Sequence, residues 1–210
     1  MGADLAGRVN ELRRGKAGKL IARRMREFKD LSRKGNKEWF SELCFCVLTA
    51  NSTARLGMKI QRELGSKGFL TLPLGELRHK LRTAGHRFSN TRAHFIVEAR
   101  RFRNIKNIIE RFTDARQARG WLVENVRGLG YKESSHFLRN VGFDDLAILD
   151  RHVLSVLHEY GLIDEVSRPL TRGRYLEIEE KLVRLAEKLG LTLGELDLYL
   201  WYLKTGEVLK

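Results

Sequence analysis

Seven residues near the middle of the chain, Val126-Arg127-Gly128-Leu129-Gly130-Tyr131-Lys132, combine the types that contact with a phosphate needs and end on an amine. Two glycines bracket a leucine between two stretches with helical patterning. Glycine admits positive φ and lets the backbone approach another backbone or a phosphate closely. A helix starting near Lys132 would offer an anion its free N–H groups and the positive end of its dipole. Such a hairpin holds a DNA phosphate without reading sequence. An ordinary helix connector with a glycine C-cap accounts for the same spacing. Asp150 follows Lys132 by eighteen residues and stands where it can cap a helix. The six histidines, at 79, 86, 94, 136, 152 and 158, show no zinc spacing. Cys44 and Cys46 cannot supply a disulfide scaffold or a four-cysteine cluster. They read as helix and core residues of a reduced, cytoplasmic protein.

These groups must be positioned by a strongly basic chain. Its 210 residues carry 40 Lys and Arg against 26 Asp and Glu, a formal net charge of +14. Such an excess usually serves a polyanion such as nucleic acid. Hydrophobic residues make up 42%, enough for a core, and the length suits one large domain or two small lobes. No apolar stretch approaches the roughly 20 residues that span a bilayer, and Met1 to Arg14 lacks the apolar centre of a signal peptide.

Nearly every segment reads as helix. Residues 3–14 and 17–33 are rich in good helix formers. Phe40, Leu43, Cys44, Val47 and Leu48 form a helical stripe over 37–50. Ser52 is expected to cap a helix over 53–64 and Gly65 to Gly68 to form a loop. Helices follow from Pro73 to Thr83, from Ser89 to Phe102, and over 104–112, 114–127, 132–141 and 151–160. Thr171 opens a helix ended by Gly190, and Thr192 caps the last one. No period-2 strand and no basic tail is found, so the charge is spread over folded helices.

Gly128-Leu129-Gly130-Tyr131-Lys132 resembles the hairpin of the helix-hairpin-helix-GPD superfamily of DNA glycosylases, with Arg127 where that pattern has Pro. Ile148-Leu149-Asp150-Arg151-His152-Val153 is similar to its aspartate segment, and Val47-Leu48-Thr49-Ala50-Asn51-Ser52-Thr53 to the turn after its second barrel helix. The ending, Trp201 to Lys210, and the lack of four cysteines look like the type 2 8-oxoguanine DNA glycosylase/AP lyase branch.

The resemblance implies a bifunctional enzyme of base excision repair. Lys132 would attack C1′ of the sugar, expel the base and leave a Schiff base, and β-elimination would follow. Asp150 would orient the nucleophile and stabilise positive charge on the sugar. Lys210 would help recognise 8-oxoguanine through a terminal carboxylate, a buried acceptor that rewards the N7–H donor of the oxidised base. Trp201 and Phe88 would sandwich the flipped base. Trp201 also fits a plain core position beside Leu196 and Leu200. Gly128, Gly130 and Arg127 would hold the DNA backbone, and Asn51 would fill the gap left by the flipped nucleotide. Asn51 is equally a common turn residue.

The fold expected is therefore all-α, with two helical lobes, a helix-hairpin-helix motif and a cleft between the lobes. Residues 36–131 would form a six-helix barrel ending in the hairpin, and 1–35 with 132–210 the second lobe. No metal or organic cofactor is implied. The partner expected is damaged double-stranded DNA, and the protein a monomer, cytoplasmic and associated with a prokaryotic nucleoid. The alternatives are a related glycosylase for oxidised pyrimidines and a non-enzymatic helix-hairpin-helix DNA-binding protein.

Overall fold

A computed structural model describes residues 4–166 and 169–210, and those residues form helices without strands. In chain order these are α1 (Leu5–Arg14), α2 (Lys16–Ser32), α3 (Asn36–Thr49), α4 (Ala54–Thr71), α5 (Leu74–Thr83) and α6 (Ser89–Ala99). They continue as α7 (Ile105–Ile109), α8 (Ala115–Asn125), α9 (Tyr131–Asn140), α10 (Arg151–Glu159), α11 (Arg172–Leu189) and α12 (Leu193–Thr205). A 3-10 turn, Arg100–Phe102, follows α6 where the sequence suggested continued α-helix.

Local chemistry explains most helix ends. Asp4, Asp114, Asp150, Thr171 and Thr192 each accept a backbone N–H in the first turn. Gly190 and Gly206 close α11 and α12 in the left-handed conformation. Two expectations are corrected. Thr53, not Ser52, caps α4, through a 3.2 Å bond from the Leu56 N–H. The expected Gly65–Gly68 loop is one kink, with Gly65 at φ 59 and ψ −179, after which the helix resumes. Tertiary packing drives that resumption. Phe69 is fully buried, and Arg100 donates to the carbonyls of Phe69 (2.8 Å) and Leu72 (2.6 Å).

The described chain divides into two compact units: Lys29–Gly142, and Phe143–Lys210 with the chain up to Phe28. These boundaries differ from the sequence-based ones at 36 and 131: α9 packs on α3 and α8, and Lys106 donates to the carbonyls of Ser32 and Lys34.

In the first unit, α3 is the centre, buried from Trp39 to Thr49 and packed by α4, α6, α7 and α9. Trp39 meets the Phe137 ring edge-on at 6.1 Å. Buried Glu42 accepts from Asn140 Nδ2 at 2.7 Å and Gln61 Nε2 at 3.1 Å, which offsets the cost of burying a carboxylate. Cys44 and Cys46 lie in this core, and burial pushes the Cys44 thiol up, leaving it unreactive.

In the second unit, α10 and α11 pack on α12, and Arg13 of α1 donates to the Leu189 carbonyl at 2.7 Å. The buried connector Leu146–Leu149 leads into α10. Two α11 side chains satisfy its backbone: Tyr175 Oη donates to the Ala147 carbonyl (2.7 Å), and Glu179 accepts from the Ala147 N–H (2.9 Å).

Candidate functional site

The hairpin between α8 and α9 turns at Gly128, whose φ is 91. A Cβ there would lie 2.4 Å from Phe95 Cδ2, so both the backbone and the neighbouring ring require glycine. Gly130 is different. It is extended, at φ −95 and ψ −170, and its N–H donates to Glu133 Oε2 at 3.2 Å. The turn thus needs one glycine for its conformation, where the sequence suggested two. Leu129 between them is buried. Arg127 projects outward, 69% exposed at its side chain, 3.6 Å from Glu98 and over the Phe95 ring.

Lys132 is the second residue of α9, beside the free N–H groups of the helix start. Its side chain is only 25% exposed, and its Nζ lies 3.6 Å from Glu133 Oε1. Glu133 therefore serves twice, capping the hairpin backbone and facing the amine. Sequence reasoning missed this residue, although a glutamate three residues after the helix cap is the acidic half of a capping box.

The turn after α3 carries Asn51, the sole non-glycine residue with positive φ (58) among the described residues. Asparagine tolerates this conformation better than most residues, and strain of this kind clusters where a side chain must be aimed. Asn51 is exposed. Two buried side chains satisfy the carbonyls at the end of α3: Arg92 Nη2 donates to Ala50 O at 2.7 Å, and His86 Nε2 bonds Leu48 O at 2.9 Å. The other ring nitrogen, Nδ1, accepts the Phe88 N–H at 3.2 Å. Phe88 is half-buried, with the Arg87 guanidinium 4.4 Å from its ring centre. Burial lowers the His86 pKa, the Leu48 bond opposes this, and the Arg92 charge adds to the lowering. Burial likewise lowers that of Arg92.

In the other unit, Asp150 caps α10. Its Oδ1 accepts from the N–H groups of His152 and Val153, each at 2.8 Å. The half-buried carboxylate keeps Oδ2 for other use. Trp201 follows the buried run of α12 and is itself half-buried, so it is not sealed in the core. The His152 ring meets it edge-on at 5.9 Å. After Gly206 the chain leaves the helix, and Lys210 is half-buried. The structure thus groups Lys132, Gly128, Gly130, Arg127, Asn51 and Phe88 on the first unit, and Asp150, Trp201 and Lys210 on the second. Among the described residues, no three His, Cys, Asp or Glu side chains gather where a metal could bind. No helix there is long and apolar enough to cross a membrane.

Comparison with known proteins follows the same residues. The family model for 8-oxoguanine DNA glycosylase, of the helix-hairpin-helix type, matches residues 21–191. A relative from Methanocaldococcus jannaschii, an 8-oxoguanine DNA glycosylase/AP lyase, is 54% identical over 98% of this chain and 99% of its own. One of the same description from Korarchaeum cryptofilum is 49% identical over 99% of this chain and 98% of its own. The crystal structure of the Methanocaldococcus jannaschii glycosylase/lyase, in complex with a 15-mer DNA containing 8-oxoguanine, superposes with a TM-score of 0.96. It covers 98% of this chain and 99% of that one, at 54% identity.

Proposed function

Since the chain belongs to the 8-oxoguanine DNA glycosylase family, we propose that Lys132 and Asp150 carry its chemistry. The protein is a bifunctional DNA glycosylase/AP lyase that excises 8-oxoguanine from duplex DNA, a step of base excision repair.

Lys132 is the nucleophile. Its Nζ forms a bond to C1′ as the bond to the base breaks, and the base leaves with the electron pair and takes up a proton. Loss of a proton and ring opening give a Schiff base. Removal of a C2′ proton then breaks the C3′–O bond, and water releases the lysine. Asp150 stabilises the positive charge that develops on the sugar as the base departs, and its helix-cap bonds hold the carboxylate in one orientation. Gly128, Gly130 and Arg127 grip the backbone, Asn51 takes the place of the extruded nucleotide, and Phe88 and Trp201 stack on the base. Lys210 contributes to recognition of 8-oxoguanine, whose N7–H an acceptor on the protein rewards. Guanine lacks that hydrogen and would present acceptor to acceptor. The protein acts as a monomer at the prokaryotic nucleoid, in the cytoplasm.

The observation that carries the site assignment is Lys132 at the start of α9, directly behind the hairpin that Gly128 turns. Borohydride reduction on an 8-oxoguanine duplex tests it. Wild type should yield a covalent protein–DNA complex and Lys132→Gln none. A trapped complex with Lys132→Gln would put the nucleophile elsewhere.

A further inference from the structure

His86 is almost fully buried, at 3% exposure, and both its ring nitrogens are engaged. The partners decide its tautomer. The Phe88 N–H can only donate, so Nδ1 carries a lone pair. The Leu48 carbonyl can only accept, so Nε2 carries the hydrogen. A neutral imidazole in a single tautomer therefore spans two segments that the chain separates by 38 residues. One is the end of α3, which leads into the strained turn at Asn51; the other is the start of α6, which presents Phe88. Each bond fills a need that local structure leaves open. Leu48 O lies in the last turn of α3, and the Phe88 N–H precedes the first turn of α6.

We propose that His86 is a positioning residue for base flipping, tying the Phe88 wall and the Asn51 turn into one rigid element. The proposal rests on the roles assigned above to Phe88 and Asn51. Its consequence is that the side chain stacking on the extruded base and the one filling the gap it leaves are set by one ring. Arg92, bonded to Ala50 O, braces the same turn from α6.

Two substitutions separate the two bonds. His86→Asn can place a carbonyl oxygen near Nδ1 and keep the Phe88 acceptor while losing the Leu48 donor. His86→Gln can place an amide near Nε2 and keep the Leu48 donor while losing the Phe88 acceptor. Each is assayed for 8-oxoguanine excision, for cleavage of a preformed abasic site, which has no base to stack, and for binding of abasic duplex. His86→Gln should lower the ratio of excision to abasic-site cleavage by about tenfold, the usual scale of one buried bond left unmade. Phe88→Ala should do the same. His86→Asn should spare that ratio and weaken abasic-duplex binding, and Asn51→Ala should do the same. Nitrogen NMR of wild type should show His86 protonated at Nε2 alone. Hydrogen exchange at the Phe88 amide should be slow in wild type and His86→Asn and fast in His86→Gln.

Equal losses in all three assays for both variants, in step with a lower melting temperature, would overturn the proposal in favour of a purely structural histidine. So would an unchanged ratio in His86→Gln beside a lowered one in Phe88→Ala. If Phe88→Ala leaves excision intact, the stacking role of Phe88 is what fails. The tether then stands or falls on the Phe88 amide exchange and the tautomer.

Discussion

Replacing Gly128 with alanine tests the hairpin at its most constrained point. The residue sits at φ 91, where an L side chain is strained, and the added Cβ would lie 2.4 Å from Phe95 Cδ2 and 2.9 Å from Cε2. Left-handed backbone costs a non-glycine residue about 1–2 kcal/mol. Forcing a carbon into a packed ring costs about 1–3 kcal/mol more. The sum is about 2–5 kcal/mol, a large share of the roughly 5–15 kcal/mol that holds a typical domain folded. Urea denaturation followed by circular dichroism reads this as a lower midpoint at constant slope. Gly130→Ala is the control. Gly130 is extended, and a Cβ there would meet only the end of the Glu133 side chain, at 3.3 Å, so it should cost less than about 1 kcal/mol. The two terms at Gly128 also separate. In a Phe95→Ala background the ring is gone, and Gly128→Ala should cost only the backbone part, about 1–2 kcal/mol. Borohydride trapping should weaken in Gly128→Ala, because the turn that precedes Lys132 has moved. If Gly128→Ala and Gly130→Ala unfold at the same midpoint as wild type, the account of the hairpin is wrong.

Asp150 can be divided between fold and chemistry. Asparagine caps helices as well as aspartate does, so Asp150→Asn should melt near wild type while excision of 8-oxoguanine falls by more than about a hundredfold, the scale of losing one preorganised charge. Asp150→Ala should lose activity and, in addition, about 1 kcal/mol of stability from the cap. The His86 imidazole is buried neutral, with its folded pKa below the ordinary 6.5. Between those two values the unfolded chain holds the extra proton, so stability falls as pH drops below about 6.5 and is fully present above it. Among the described residues the charge that acts on it is the Arg92 guanidinium, in the same direction. The stability difference between wild type and His86→Asn should therefore shrink from pH 7.5 to pH 5, by at most about 1.36 kcal/mol per unit. A difference constant over that range would contradict the burial argument. Deleting Lys210 should reduce the preference for 8-oxoguanine over guanine while leaving cleavage of a preformed abasic site nearer to wild type; unchanged discrimination in competition assays would count against its role.

Much of this was legible along the chain because it depends on neighbours in sequence. Helices were readable from apolar spacing, from the caps Asp150, Thr171 and Thr192, and from Gly190. The motifs at 128–132 and 148–153 pointed to the family that the relatives bear out. Ser52 misled because a serine and a threonine stood side by side, and either hydroxyl fits the start of α4. The Gly65 loop misled because glycine-rich composition favours a break, whereas buried Phe69 and the Arg100 bonds to the carbonyls of Phe69 and Leu72 restore the helix.

The sequence by itself determined the all-helical class, the places where most helices begin and end, and the motifs that mark a helix-hairpin-helix glycosylase. Those follow from propensities, caps and motifs that act within a few residues. Only the tertiary structure decided which glycine the hairpin cannot replace, because Phe95 closes over Gly128 and not over Gly130. It also decided that Glu133 faces Lys132, that Tyr175 and Glu179 hold the connector into Asp150, and that His86 joins the Asn51 turn to Phe88. Apart from Glu133, these are contacts between segments distant along the chain. They exist because buried backbone groups must find partners, and the partner a fold supplies is set by packing rather than by the residue next door.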